Sequence, residues 1–169
     1  RKNKWFAAQQ HEKKHWESIS ELIKNKYIQD LDWYSWKAAR LSKMLVESQC
    51  IIDENSKILE IGSGPLGIIS EIKSSIKFAV DPLEYFYKND KILTSKRNST
   101  VEYISSKGES LPFKSNFFDF IIIDNVLDHA ESPIIIINEA LRVLKNNKYV
   151  YIGLNTRCFS ENIVHNAIG

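Results

Sequence analysis

An α/β fold, a doubly wound and mostly parallel sheet with helices on both faces, follows from three features of this chain. Short apolar runs such as KILEI at 57–61 and DFIII at 119–123 are near-continuous, as strands buried on both faces require. Segments of helical period stand between them. A glycine turn, Gly62 to Gly67, follows the first run directly, and open parallel sheets bind ligands at the carboxyl ends of their strands.

The elements follow in order. Trp16, Ile19 and Ile23 share one helical face, and Trp33, Trp36, Leu41, Met44 and Leu45 recur near helical spacing in a second helix. Asp30 or Asp32 is the expected cap of that second helix. Residues 1–50 are therefore expected to form an N-terminal helical lid or cap, and residues 51–169 the sheet-bearing core of one structural domain. Lys57–Ile61 is the first strand, and after the glycine turn a helix is expected with Leu66, Ile69, Ile72 and Ile76 inward. Lys77–Val80 is the second strand, stopped by Asp81-Pro82, and Val101–Ile104 the third. Asp119–Ile123 is the clearest buried strand. Ser132-Pro133 then opens a helix, serine as cap and proline in the first turn, with Ile137, Ala140, Leu141 and Leu144 facing the core. Asn146-Asn147 turns the chain into a fifth strand, Lys148–Leu154.

Composition narrows the function classes. With 43% hydrophobic and 26% charged residues the chain is ordinary for a globular domain, and a net charge of +2 does not argue for nucleic acid. The run His11–Lys14 reads as a solvated helix face. No apolar run approaches a membrane span, and no signal peptide is expected. Cys50 and Cys158 lack metal-ligand spacing, so two reduced thiols, a cytoplasmic location and no metal site are expected. Arg1 stands where a methionine would start a gene product, so an N-terminal portion is expected to be missing.

The glycine turn poses the chemical question. Gly62, Gly64 and Gly67 spell G-x-G-x-x-G, the turn that seats a dinucleotide pyrophosphate on a helix N-terminus. Glu60, two residues earlier, argues otherwise: a carboxylate repels a pyrophosphate but accepts from an ammonium or a hydroxyl. Asp81, 21 positions after Glu60, stands where an acid accepts from the two hydroxyls of a ribose. That acid suits an NAD-like ligand and an adenosyl sulfonium equally.

The segments ILEIGSGPLG and GESLPFKSNFFDFIIIDNVLDHAESPIIIINEALRVLKNNKYVYIG decide between them. In this order and spacing they resemble the class I S-adenosylmethionine-dependent methyltransferases, closest to the small-molecule branch with an LPF…FD…VLxH…E…RVLK pattern. The resemblance covers about Ser56 to Leu154. It implies a Rossmann-like fold, S-adenosyl-L-methionine as cofactor, and methyl transfer to a small-molecule or glycan-precursor acceptor. It implies that Glu60 contacts the methionine part of the cofactor, that Gly62, Ser63 and Gly64 bring backbone close to it, and that Asp81 binds the ribose. Gly108 and Glu109 would flank the adenine, and Asp124 and Asn125 would line the methyl-bearing side.

The chain departs from that pattern in three places. Leu66 stands where a third glycine is common, with Gly67 displaced by one. Lys107 replaces the acid that often reads the adenine amino group. The two strands that usually follow the fifth have no counterpart before Gly169, so the sheet is expected to be truncated or finished differently. Asp128 and His129, just past the fourth strand, are the candidate catalytic base pair, against the plainer reading of a histidine satisfying a short helix. Four tryptophans within 36 residues read first as packing; in a lid, Tyr27, Trp33 and Trp36 are the expected cofactor contacts. Two alternatives stand beside methyl transfer: a non-catalytic cofactor-binding sensor or partner subunit, and an NAD-dependent oxidoreductase.

Overall fold

The computed structural model describes residues 2–29 and 31–154; Asp30, Cys158 and His165 lie outside them. Two helices, α1 (Lys2–Lys24) and α2 (Trp33–Glu47), precede β1 (Lys57–Ile61), β2 (Ile76–Asp81), α3 (Glu84–Tyr87), β3 (Val101–Ser105), β4 (Phe118–Asp124), α4 (Pro133–Val143) and β5 (Leu144–Gly153). The strands form one sheet in the order β3-β2-β1-β4-β5, every pair parallel. The order reverses between β1 and β4, which opens a crevice beyond their carboxyl ends.

Alternation along each strand divides the core. Ile58, Ala79, Phe120 and Ile122 face α1 and α2, where they pack with Trp16, Tyr34, Leu41 and Ile69. Leu59, Ile61, Ile121 and Ile123 face α4 through Ile136, Ala140 and Val143. Phe78, Phe113, Phe117 and Phe118 extend that second layer, their rings meeting mostly edge to face. The LPF…E…R pattern is structural: Glu139 accepts from Leu111 N at 2.9 Å, and Arg142 donates to the Leu111 and Phe113 carbonyls. Those bonds clamp the loop before β4 onto α4.

Three expectations about the elements are corrected. The segment after the glycine turn forms one 3-10 turn, Ile68–Glu71, rather than an α-helix. Gly67 holds φ +77° and Ile72 is already extended, so the helical spacing of the isoleucines is met by a single turn and the start of β2. On α4 the buried face is Ile136, Ala140 and Val143, while Leu141 is exposed. The run of four isoleucines at 134–137 can face either way, and Leu144 leaves the helix for β5. Finally, α2 buries Tyr34, Ala38 and Leu41 and leaves Trp36 and Met44 exposed; Asp32 precedes it without a side-chain capping bond. Asn146 and Asn147 fall where β5 shifts register against β4, Asn147 at φ +58°. Among the described residues no helix is long and apolar enough to cross a membrane, and no cluster of potential metal ligands occurs.

Candidate functional site

At the crevice lies a cavity of about 510 Å³, within the range that holds a drug-sized or nucleotide-sized ligand. Its floor is the glycine turn. Gly62, Gly64 and Gly67 all have positive φ, at +73°, +60° and +77°, so each occupies backbone space that a side chain would strain. Gly62 N donates to Val80 O at 2.7 Å, which bends the chain out of β1 across the end of β2. The displacement of the third glycine now has a reason: a side-chain carbon at 67 would meet the Glu60 carboxylate at 2.6 Å.

Glu60 lines the cavity and is almost wholly buried. Its Oε1 accepts from Ile68 N at 3.1 Å and its Oε2 from Ile69 N at 2.9 Å, so it caps the 3-10 turn. Burial pushes its pKa up to about 8, against the pull of those two N–H groups. Asp81 lies 17 positions past Gly64: its Oδ2 accepts from Gly64 N at 2.9 Å and its Oδ1 from Leu83 N at 2.8 Å. Burial raises its pKa to about 6. Each carboxylate oxygen retains a second lone pair, so Asp81 can still accept from a ligand diol.

The opposite wall comes from three places. Gly108 is buried where a side-chain carbon would approach Ile61 at 2.8 Å and Ile136 at 3.1 Å. Glu109 accepts from the Glu131 and Ser132 amides at 3.0 and 3.3 Å, which ties the loop after β3 to the start of α4, while the Ser132 side chain makes no capping bond of the kind expected of it. Asp124 is held by Lys37 of α2 at 2.5 Å and by the Tyr151 hydroxyl at 3.5 Å. Asn125, at φ +57°, donates its N–H to Gly153 O, which brings the end of β4 against β5. His129 lines the cavity and lies 3.2 Å from the Asp128 carboxylate; both are about half exposed, and Asp128 is outside the lining.

The N-terminal helices close the other side, through residues that the sequence reading did not assign to the site. Trp5, Gln9, Glu12 and Trp16 of α1 and Tyr34 and Lys37 of α2 all line the cavity. Tyr34 donates to Ser63 O at 3.2 Å, and Trp16 Nε1 donates to Glu12 Oε1 at 2.9 Å. Lys107 lies 3.5 Å over the Trp5 ring, a cation–π contact joining the start of α1 to the loop after β3. Of the expected lid contacts, Trp33 lines the cavity, whereas Tyr27 and Trp36 are exposed elsewhere. The signal available was the spacing of 5, 9, 12 and 16, which puts a glutamine and a glutamate inside an aromatic stripe.

Comparison with known proteins agrees with this geometry. A sequence model described as a methyltransferase domain matches residues 59–152. An uncharacterized protein of Methanocaldococcus jannaschii is 33% identical over 133 residues, which are 79% of this chain and 61% of that protein. A solved structure from Methanococcus maripaludis, a candidate S-adenosyl-L-methionine-dependent methyltransferase, superposes with a TM-score of 0.61 at 20% identity. It covers 83% of this chain and 63% of its own. A SAM-dependent methyltransferase of Thermotoga maritima gives 0.52 at 24% identity, over 81% of this chain and 60% of its own. The chain thus spans under two thirds of the length of these relatives, and the two structures speak for the fold. The matched segment runs from the core of β1 to the end of β5 and holds the glycine turn, Asp81 and Asp124, and by it the chain belongs to the methyltransferase domain family.

Proposed function

We propose that this chain binds S-adenosyl-L-methionine in the β1/β4 crevice and transfers its methyl group to a small-molecule or glycan-precursor acceptor. The observation that carries the reading is Asp81, a buried acid at the end of β2, bonded to the glycine turn at Gly64. The donor set fits the ligand. Carboxylates of Glu12, Asp81, Glu109 and Asp124 line the cavity against the ammoniums of Lys37 and Lys107, an acid-rich wall suited to a cation with a ribose diol.

When bound, the cofactor supplies a methyl group made electrophilic by its sulfonium. The work left to the chain is placement. Asp81 accepts from the ribose hydroxyls, and the positive-φ turn at Gly62 and Gly64 gives the methionine part close access to backbone. Asp124 and Asn125 border the reacting side, and α1 and α2 form a lid that keeps water out. Holding donor and acceptor in line can supply up to about 7–11 kcal/mol of the acceleration. A base is needed only for a hydroxyl or protonated amine acceptor, and His129, paired with Asp128, is the candidate.

Calorimetric titration with S-adenosylhomocysteine and, separately, with NAD tests the reading. Binding of S-adenosylhomocysteine without a response to NAD is expected. Tight NAD binding with no response to S-adenosylhomocysteine overturns it. Transfer of labelled methyl to an acceptor in a cell extract separates an enzyme from a cofactor-binding sensor.

A further inference from the structure

Among the described residues, the buried side-chain polar atom left without a hydrogen-bond partner is Gln9 Oε1. A buried acceptor with nothing to accept from costs stability unless a ligand completes it. Gln9 lines the cavity from α1, one helical turn beyond Trp5, one before Glu12 and two before Trp16.

Its neighbours fix which part of a ligand it meets. At one end of the stripe, Trp5 lies under Lys107, next to Gly108. At the other end, Trp16 packs beside Gly64, where a side-chain carbon would come within 3.3 Å of its ring. The eleven residues between them rise about 16 Å, so α1 runs along the cavity from the loop after β3 to the glycine turn. Gln9 belongs to the Lys107 end. In the cofactor reading above, the adenine would lie there beside Gly108, with Lys107 in place of an acid that could accept from its exocyclic amine. A lysine at 107 is a donor only, and its ammonium is committed to the Trp5 ring and to Glu131 at 3.5 Å.

We infer that Gln9 reads the adenine: its Oε1 accepts from the exocyclic 6-amino group, the role that position 107 does not fill. This rests on the cofactor reading above and deepens it. The base is then recognised by the N-terminal helix instead of the sheet, so adenine binding and the seating of α1 are one event.

The test compares S-adenosylhomocysteine with its 6-deamino purine analogue, on the wild-type chain and on Gln9→Ala and Gln9→Glu, with a thermal melt to confirm folding. Wild type should prefer the amino compound by about five- to tenfold, the loss expected for one buried hydrogen bond. Gln9→Ala should bind the amino compound correspondingly less well and show no preference, while Gln9→Glu, which keeps an acceptor, should retain it. Equal weakening of both compounds in Gln9→Ala, or an unchanged preference, overturns the inference and leaves the cofactor reading intact. A wild-type chain that binds neither compound overturns both.

Discussion

Lys37 of α2 donates to Asp124 at the end of β4 across 2.5 Å, joining residues 87 positions apart at the rim of the cavity. The pair neutralises the carboxylate nearest the side where the reacting methyl is proposed to lie. Replacing Lys37 by methionine keeps much of the stem's packing and leaves Asp124 facing the cleft alone. The sulfonium of S-adenosylmethionine is cationic and the thioether of S-adenosylhomocysteine is neutral. Lys37→Met should therefore tighten the former relative to the latter by about 1–2 kcal/mol. The ratio of the two dissociation constants, measured by calorimetry, is the readout; an unchanged ratio places the pair away from the sulfur.

Asp81 gives two linked expectations. Asp81→Ala removes charge-assisted bonds to two hydroxyls and should cost about 1.5–3 kcal/mol in S-adenosylhomocysteine affinity, tenfold to a hundredfold. Burial raises this acid to about 6, and only its ionised form is a pure acceptor. Affinity should thus be level above about pH 7 and fall below about 6, by up to about tenfold per pH unit. Asp81→Asn should flatten that profile. A profile shared by wild type and Asp81→Asn would assign the titration to another group.

Gly64→Ala should damage the turn twice. At φ +60° an alanine is strained by about 1–2 kcal/mol, and its methyl would lie 2.5 Å from the Tyr34 hydroxyl. Chemical denaturation should show a loss above 2 kcal/mol in the single variant. Adding Tyr34→Phe removes the clashing oxygen but not the φ strain, so the double variant should regain part of the loss. Strict additivity of the two substitutions would show that Tyr34 does not press on the turn.

Much of this was readable in the chain, and the misses have physical causes. Strands β1, β2 and β4 announced themselves because buried parallel strands are near-continuously apolar, and Gly62 and Gly64 because the turn geometry demands that residue type. The helix expected after the turn failed because Gly67 and Glu60 settle that segment through a contact between two elements. The α4 face was ambiguous because isoleucine occupies every position of a turn. Lys37 and Gln9 escaped notice because a polar residue on a helix carries no mark of what will face it 87 residues later or across a cleft.

Glu60 links the turn to pH. Its unfolded value is near 4.5 and burial holds it at about 8 in the folded chain. Between those values the folded state keeps a proton that the unfolded state has lost, so stability is full below about 4.5 and declines as pH rises towards 8. The slope should approach about −1.4 kcal/mol per pH unit from this group alone. Glu60→Gln turns an amide N–H towards the Ile68 or Ile69 N–H and should be less stable at the outset. The slope is therefore the informative quantity: denaturation between pH 5 and 8 should give a flatter line for Glu60→Gln. Parallel lines would mean that Glu60 is ionised in the fold throughout.

The last prediction separates covering from core within α1. Trp16 is buried against Trp33 and Tyr87, with ring centroids 6.0 and 5.9 Å away, and belongs to the same cluster as Ile58 and Phe120 of the sheet. Trp5, eleven residues earlier, is half-buried at the rim of the cavity and carries the Lys107 ammonium over its ring. If α1 is anchored by its C-terminal half and closes over the ligand with its N-terminal half, the two tryptophans should respond differently. Trp16→Ala should cost about 3–5 kcal/mol of stability, as truncating a buried tryptophan does, and its affinity loss should follow its unfolding. Trp5→Ala should cost under about 1 kcal/mol of stability, the size of an exposed cation–π contact, yet weaken S-adenosylhomocysteine and quicken proteolysis near the N-terminus. Added ligand should slow that cleavage in the wild type and change its tryptophan fluorescence. Equal stability losses for the two variants would make all of α1 core, and a Trp5→Ala protein of unchanged affinity would mean that α1 does not close on the ligand.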